Sequence, residues 1–305
     1  MRWNMQAARL RLSAQSPGVV RMCTMTQENL RELAMKVVET AKAAGVHALQ
    51  DQLNSHGSVI THGEGGQRFA GEVDNRLLRY VSGRLADINH FDGFWQTRPA
   101  ESHPGQRYWC VGKLDGSINY VRNMSEWAIT ISLFEFNWEG SAQPILGVVH
   151  APALGETYVA VRGGGAVRIR NTQLGEKREK VVPSVTPNLE GSVVSFGMSY
   201  VPGESDRALA AVAALAGHHP ADVKRVGPAS LDLCKVADGT YDAYFEPALH
   251  DWDVPAISAA AVVVWEAQGA LHRWDGSDIH WRQNNDIVCT NGLIDRELKP
   301  ILTQH

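Results

Sequence analysis

Arg225-Val-Gly-Pro-Ala-Ser-Leu-Asp-Leu-Cys-Lys-Val-Ala-Asp-Gly-Thr-Tyr-Asp-Ala-Tyr-Phe-Glu246 reads as a helix over Ala229–Ala237 followed by a short strand over residues 241–245. It runs into Glu246-Pro-Ala-Leu-His-Asp-Trp-Asp253, a strand end and helix start dense in carboxylates. Residues 254–267 are strongly helical, and Pro255 is compatible with that because a first-turn proline loses no intrahelical hydrogen bond. Asp253 is placed to cap this helix. Capping does not account for Glu246 and Asp251 nearby, because clustered acids repel unless they are solvated or share a cation. His250, three residues before Asp253, is a candidate ligand, base or substrate contact.

Upstream, Tyr108-Trp-Cys-Val-Gly-Lys-Leu-Asp-Gly-Ser-Ile-Asn119 is an apolar strand running into Asp115, Gly116 and Ser117. A strand ending in Asp-Gly-Ser sets a carboxylate, exposed N–H groups and a hydroxyl at one loop tip, which suits a phosphate or a cation but is also common turn chemistry. Apolar residues at three and four spacing predict helices over 30–53 and 74–88, with a glycine-rich loop over 57–71. Residues 89–106, rich in Pro, Gly and His, are expected to be irregular. A meander of antiparallel strands follows over 127–136, 145–150 and 157–169, broken at Gly163, Gly164 and Gly165, where a hairpin turn is expected. The second half alternates: strands over 193–196, 271–274 and 287–290, helices over 207–216 and 293–302. Trp95, Trp109, Trp127 and Trp252 read as core or pocket wall.

A chain of 305 residues that is 44% apolar fills an ordinary core. Its net charge of −4 gives no chain-wide basic field, so neither a nucleic-acid nor a membrane partner is expected. Cys23, Cys110, Cys234 and Cys289 are widely spaced without a CxxC pair, which suggests no disulfide framework or zinc site and fits a cytoplasmic protein. No apolar run reaches the roughly 18 residues of a spanning helix. Residues 1–25 are basic, and their apolar run is broken by Arg9, Arg11 and Pro17, so they read as a disordered extension and not a signal peptide.

The run from Arg225 to Glu246, with Trp252-Asp253 and Glu266-Ala-Gln-Gly269, resembles the C-terminal signature of the inositol monophosphatase superfamily, and Tyr108 to Tyr120 resembles its central Asp-Pro-Ile-Asp-Gly-Thr signature. The resemblance implies an α/β (α+β) fold, an αβαβα layered sandwich over residues 26–305. Its halves are expected at about 26–185 and 186–305, with the site between them. It implies Mg²⁺-dependent phosphomonoesterase chemistry on a small-molecule substrate, and a homodimer. Asp115 matches the second aspartate of the central signature, Asp253 the Trp-Asp aspartate, Ser117 the water-orienting threonine and Leu114 a carbonyl ligand. Glu246 matches a contact to substrate hydroxyls, and Asp74 an acid preceding the Glu-Glu segment.

This chain departs from that pattern. Gly112 stands where the first aspartate bridges cations, and Lys113 replaces the proline. The Glu-Glu-Ser segment matches Ala100-Glu101-Ser102, leaving Glu101 as its retained acid. Mg²⁺ holds weakly without several carboxylates, so a weakened metal on Glu101, Leu114, Asp115 and Asp253, or none, is expected. Three functions follow. One is altered, metal-independent chemistry on an anionic, hydroxylated metabolite, with Glu101, Asp115 or Asp253 as acid and base beside Lys113, and Gly116, Ser117, Glu246 and His250 contacting substrate. The others are a weak Mg²⁺ phosphomonoesterase and a noncatalytic binding or scaffold protein.

Overall fold

The computed structural model describes residues 27–54, 71–97, 102–199, 201, 203–281 and 285–304. Helices α1 (Gln27–Asn54) and α2 (Gly71–Ile88) lie on one face of a seven-stranded sheet. Its strands run in sequence order: β1 (Gly93–Phe94), β2 (Arg107–Val111), β3 (Ile129–Phe136), β4 (Ala142–Ala151), β5 (Glu156–Val161), β6 (Gly165–Thr172) and β7 (Gly175–Lys180). All pairs are antiparallel except β1 with β2, which is parallel. The five-stranded second sheet is built from β8 (Val193–Phe196), β9 (Asp222–Lys224), β10 (Ala243–Leu249), β11 (Ala270–His272) and β12 (Asn285–Thr290), in the order β11-β12-β10-β8-β9.

Each layer is fixed by where apolar side chains point. On α1 and α2, Val37, Val38, Val81 and Leu85 recur at helical spacing and bury against Trp109, Ile131, Leu133 and Val148 of the first sheet. The middle layer is α5 (Ala229–Ala237) and α6 (Val254–Glu266), enclosed between the sheets with Phe134, Tyr158, Tyr244 and Ile287. Every residue of α6 from Val254 to Val264 is buried, so this helix has no solvent face. Each large aliphatic side chain it removes from water contributes about 1.5–3 kcal/mol. Its polar Ser258 is satisfied by Ser132 Oγ at 2.7 Å. Gly147 on β4 lets the helix come close, since a Cβ there would run into the Ala259 carbonyl. On the outer face, Ala208, Ala211 and Leu215 of α4 (Glu204–Leu215) join Leu298 and Leu302 of α7 (Asp295–Thr303) over Val194, Phe245 and Val288. The result is the αβαβα sandwich.

Several local expectations are corrected. The β7 strand was not predicted because Gly-Glu-Lys-Arg-Glu-Lys is solvated on both faces and shows no alternation. The segment after Asn89 contains β1 and a 3-10 turn at Trp95–Thr97. The third helix α3 (Ser117–Val121) begins at the Asp-Gly-Ser tip. The β10 strand runs on to Leu249, so Glu246 lies within it and not at its end. Trp252 is 53% exposed and is not core. Asp253 occupies the residue before α6 but makes no capping bond. The glycine-rich 57–70 stretch and the 1–25 extension lie outside the described residues. Among the described residues no helix is long and apolar enough to cross a membrane. Cys110, Cys234 and Cys289 are buried and unbridged.

Candidate active site

Strand β2 carries the chain into the loop from Gly112 to Gly116. Gly112 N donates to Thr130 O at 3.0 Å, and Asp115 is bridged to Ala128 by two backbone bonds of 2.9 Å. Gly116 has φ +84°, and a Cβ there would sit 2.9 Å from Glu126 O, so glycine is required on both counts. The loop is held from below by buried Asp74 of α2, whose Oδ1 accepts from Leu114 N at 3.0 Å. Asn119 donates to Glu126 O at 2.7 Å and to Val226 O at 3.1 Å, tying the loop to the second half.

The second half answers with three elements. Ser230 N, in the first turn of α5, donates to Asp115 Oδ2 at 3.1 Å. On β10, Tyr244 and Glu246 share a face, and the Tyr244 hydroxyl donates to Glu246 Oε2 at 2.6 Å. Gly197, just after β8, makes room for them: its Cβ would lie 2.6 Å from the Glu246 carboxyl carbon. In the turn before α6, the peptide N–H of His250 donates to Asp253 Oδ2 at 2.9 Å. The carboxylate therefore faces back toward its own turn, away from the helix it was expected to cap.

Asp115, Glu246 and Asp253 feel one another. Burial is the largest cause in each case and favours the protonated form. The negative charge of Asp253 pushes Glu246 further up, and that of Asp115 does the same to Asp253. The Tyr244 hydroxyl and the His250 and Ser230 N–H groups offset part of this. Such a set titrates in coupled steps, each bound proton lowering the affinity of its neighbours for the next. On α5, Asp232 is fully enclosed with Lys235 Nζ 4.0 Å away, and burial pushes its carboxyl up to about 6.

Of the predicted residues, Asp115, Glu246 and Asp253 are brought together. Leu114 is buried, Gly116 precedes α3, and Ser117 opens it. Lys113, within this loop, is exposed. His250 is half-buried, with Nε2 2.9 Å from Glu204 Oε2. Ala100 and Glu101 lie outside the described residues. The segment that follows them is held at the far end of β2, where Gly105 N donates to Phe136 O and Phe136 N to Gln106 O. That is roughly 20 Å along the strand from Gly112. The parallel register Phe94↔Trp109 leads the chain into the Trp95–Thr97 turn, whose three residues include no carboxylate.

A description of the inositol monophosphatase family matches residues 26–305. The chain belongs to the inositol monophosphatase family. An inositol-1-monophosphatase of Mesorhizobium japonicum is 30% identical over 75% of this chain and 81% of its own length. A protein of Neisseria meningitidis named putative Nus factor SuhB is 32% identical over 65% of this chain and 69% of its own. Among solved structures, the SuhB protein of Bartonella henselae superposes with a TM-score of 0.72 at 24% identity, covering 90% of this chain and 99% of that one. An inositol monophosphatase of Thermotoga maritima does so with a TM-score of 0.72 at 23% identity, covering 90% and 97%. The phosphatase-type scaffold is thereby shown. Family members named as Nus factors overturn the exclusion of nucleic-acid partners drawn from net charge. A sum over the whole chain says nothing about what one surface meets.

Inositol monophosphatase family members are generally Mg²⁺-dependent, and the residues here fit the family's full ion cluster poorly. The bridging carboxylate is absent because residue 112 is glycine, and the Thr130 hydroxyl occupies the space that a Cβ there would need. Among the described residues, no three acids, histidines or cysteines converge as a cation-holding group. The sequence did not reveal Thr130, Tyr244, Gly197 or Glu204 as parts of the site. Only the two-residue spacing of Tyr244 and Glu246 in a strand signalled a shared face.

Proposed function

We propose that this chain is a small-molecule enzyme whose buried and half-buried carboxyl groups, balanced by protons instead of a cation cluster, act on an anionic, hydroxylated metabolite such as a phosphorylated polyol. The observation that carries this reading is the Thr130 hydroxyl in the space that a Cβ at Gly112 would need. Asp115, Glu246 and Asp253 raise one another's proton affinity, so near neutral pH the set holds protons that ordinary carboxylates release. A protonated carboxyl donates a hydrogen bond to an anionic oxygen, and an ionised neighbour accepts a proton from a hydroxyl or water. Glu246, oriented by Tyr244, supports hydroxyl recognition. Unbridged buried thiols support a reducing compartment, the cytoplasm.

A second reading, a Mg²⁺-dependent phosphomonoesterase with one weakly held cation at Asp115 and Asp253, is supported by the relatives named inositol-1-monophosphatase. The two are separated by titrating Mg²⁺ against a panel of phosphomonoesters and following phosphate release. Turnover without added metal, unchanged by a chelator, supports the first. Robust Mg²⁺-dependent release replaces it with the second. A protein that binds neither phosphate nor any panel member is a noncatalytic member of the family.

A further inference from the structure

We infer that the first turn of α4 is a clamp that positions the Asp253 turn, with Glu204 and Arg207 as its positioning residues. This rests on the reading of the junction between the halves as a small-molecule site. The turn from His250 to Trp252 joins the end of β10, which carries Glu246, to Asp253, and nothing in its His-Asp-Trp sequence makes it rigid by itself. Glu204 and Arg207 are three apart on one face of α4; Glu204 grips the turn and Arg207 the end of β10 that leads into it. Arg207 Nη1 donates to Pro247 O at 3.1 Å, while its guanidinium lies 4.4 Å over the Trp274 ring and 3.4 Å from Asp286. Glu204 Oε2 lies 2.9 Å from His250 Nε2 and also accepts from the Ser199 hydroxyl.

The histidine held in this way is the residue whose peptide N–H donates to Asp253 Oδ2 at 2.9 Å. Glu204 thus fixes the ring, and the backbone of the same residue fixes the carboxylate. The ring also stacks on Trp252, with centroids 4.2 Å apart and planes at 19°. Helix α4 itself is anchored by Ala208, Ala211 and Leu215, none of which takes part in the grip. Glu204 and His250 are both partly solvated, so loss of their pair should weigh little on folding and heavily on placement.

The test compares Glu204→Ala and Glu204→Gln in the full chain, with Trp252→Phe supplying the fluorescence contribution of Trp252 by difference. Glutamine keeps an oxygen for the His250 ring. Glu204→Ala is expected to shift the Trp252 emission and to weaken binding of inorganic phosphate about tenfold, with a melting temperature within a few degrees of the parent. Glu204→Gln is expected to restore both. Parent-like Trp252 emission in Glu204→Ala overturns the clamp. If the parent binds no phosphate, the reading of the site falls, and the clamp stands or falls on the emission alone.

Discussion

Gly112 and Thr130 are a matched pair: Gly112 N donates to Thr130 O at 3.0 Å, and the Thr130 hydroxyl takes the space a side chain at 112 would need. Position 112 therefore lacks a carboxylate and also lacks the room for one while Thr130 keeps this orientation. Reinstating an acid at 112 alone cannot rebuild the site.

Gly112→Asp is expected to destabilise the fold by about 3 kcal/mol, from overpacking against Thr130 together with burial of an unpaired charge. Gly112→Asp combined with Thr130→Ala removes the clashing oxygen, and its melting temperature should rise with Mg²⁺ while that of the parent does not. Thermal melts with and without Mg²⁺ decide this. A single variant as stable as the parent would show that the pair is not matched.

Sulfate, whose charge is constant across neutral pH, should bind more weakly as pH rises. The reason is that Asp115, Glu246 and Asp253 have raised proton affinities and can donate to an anion only while protonated. The same groups set a stability trend. Unfolded carboxyls release their protons near pH 4, whereas the folded set keeps them to higher pH. Stability contributed here therefore falls as pH rises through the raised values. Asp253→Asn should flatten both curves, measured by calorimetry across pH.

His272 has acceptors at both ring nitrogens, Arg273 O at 2.7 Å from Nδ1 and Asp295 Oδ1 at 2.9 Å from Nε2, which fits the doubly protonated ring. The Asp295 hydrogen bond is the largest cause of its raised pKa. Its stabilisation is complete below the unfolded value near 6.5 and is lost as pH rises through the folded value. His272→Gln should cost about 1–2 kcal/mol at pH 5.5 and less at pH 8.5, by urea melts.

Gly197→Ala places a methyl group against the Tyr244 hydroxyl and the Glu246 carboxyl. We expect a loss of about 1–3 kcal/mol in stability and a larger proportional loss of ligand affinity, because Glu246 must leave its bond to Tyr244. A change in stability with unaltered affinity would remove Glu246 from the binding site.

The layered fold was legible because two stretches, Tyr108–Asn119 and Arg225–Asp253, fix both signatures and most apolar strands and helices carry clear periodicity. Helix α5 was read to the residue. What escaped was whatever lacks periodicity: β7 with both faces solvated, the two-residue β1, and the three-residue β9. At the site, the chain positions of Asp115, Glu246 and Asp253 were readable, but their hydrogen bonds were not. Thr130 and Glu204 come from strands and helices far away in sequence, and neither belongs to a motif. Trp252 is not core: it is half-exposed and lies flat against His250.

The bond from Ser230 N to Asp115 Oδ2 joins a loop of the first sheet to a helix of the middle layer. Whoever deletes Asp115 to silence chemistry also cuts a tether between the two lobes, and a dead variant would then report on mechanics as much as on reactivity. Asparagine, which keeps an oxygen for that N–H while giving up the charge, is the substitution that separates them.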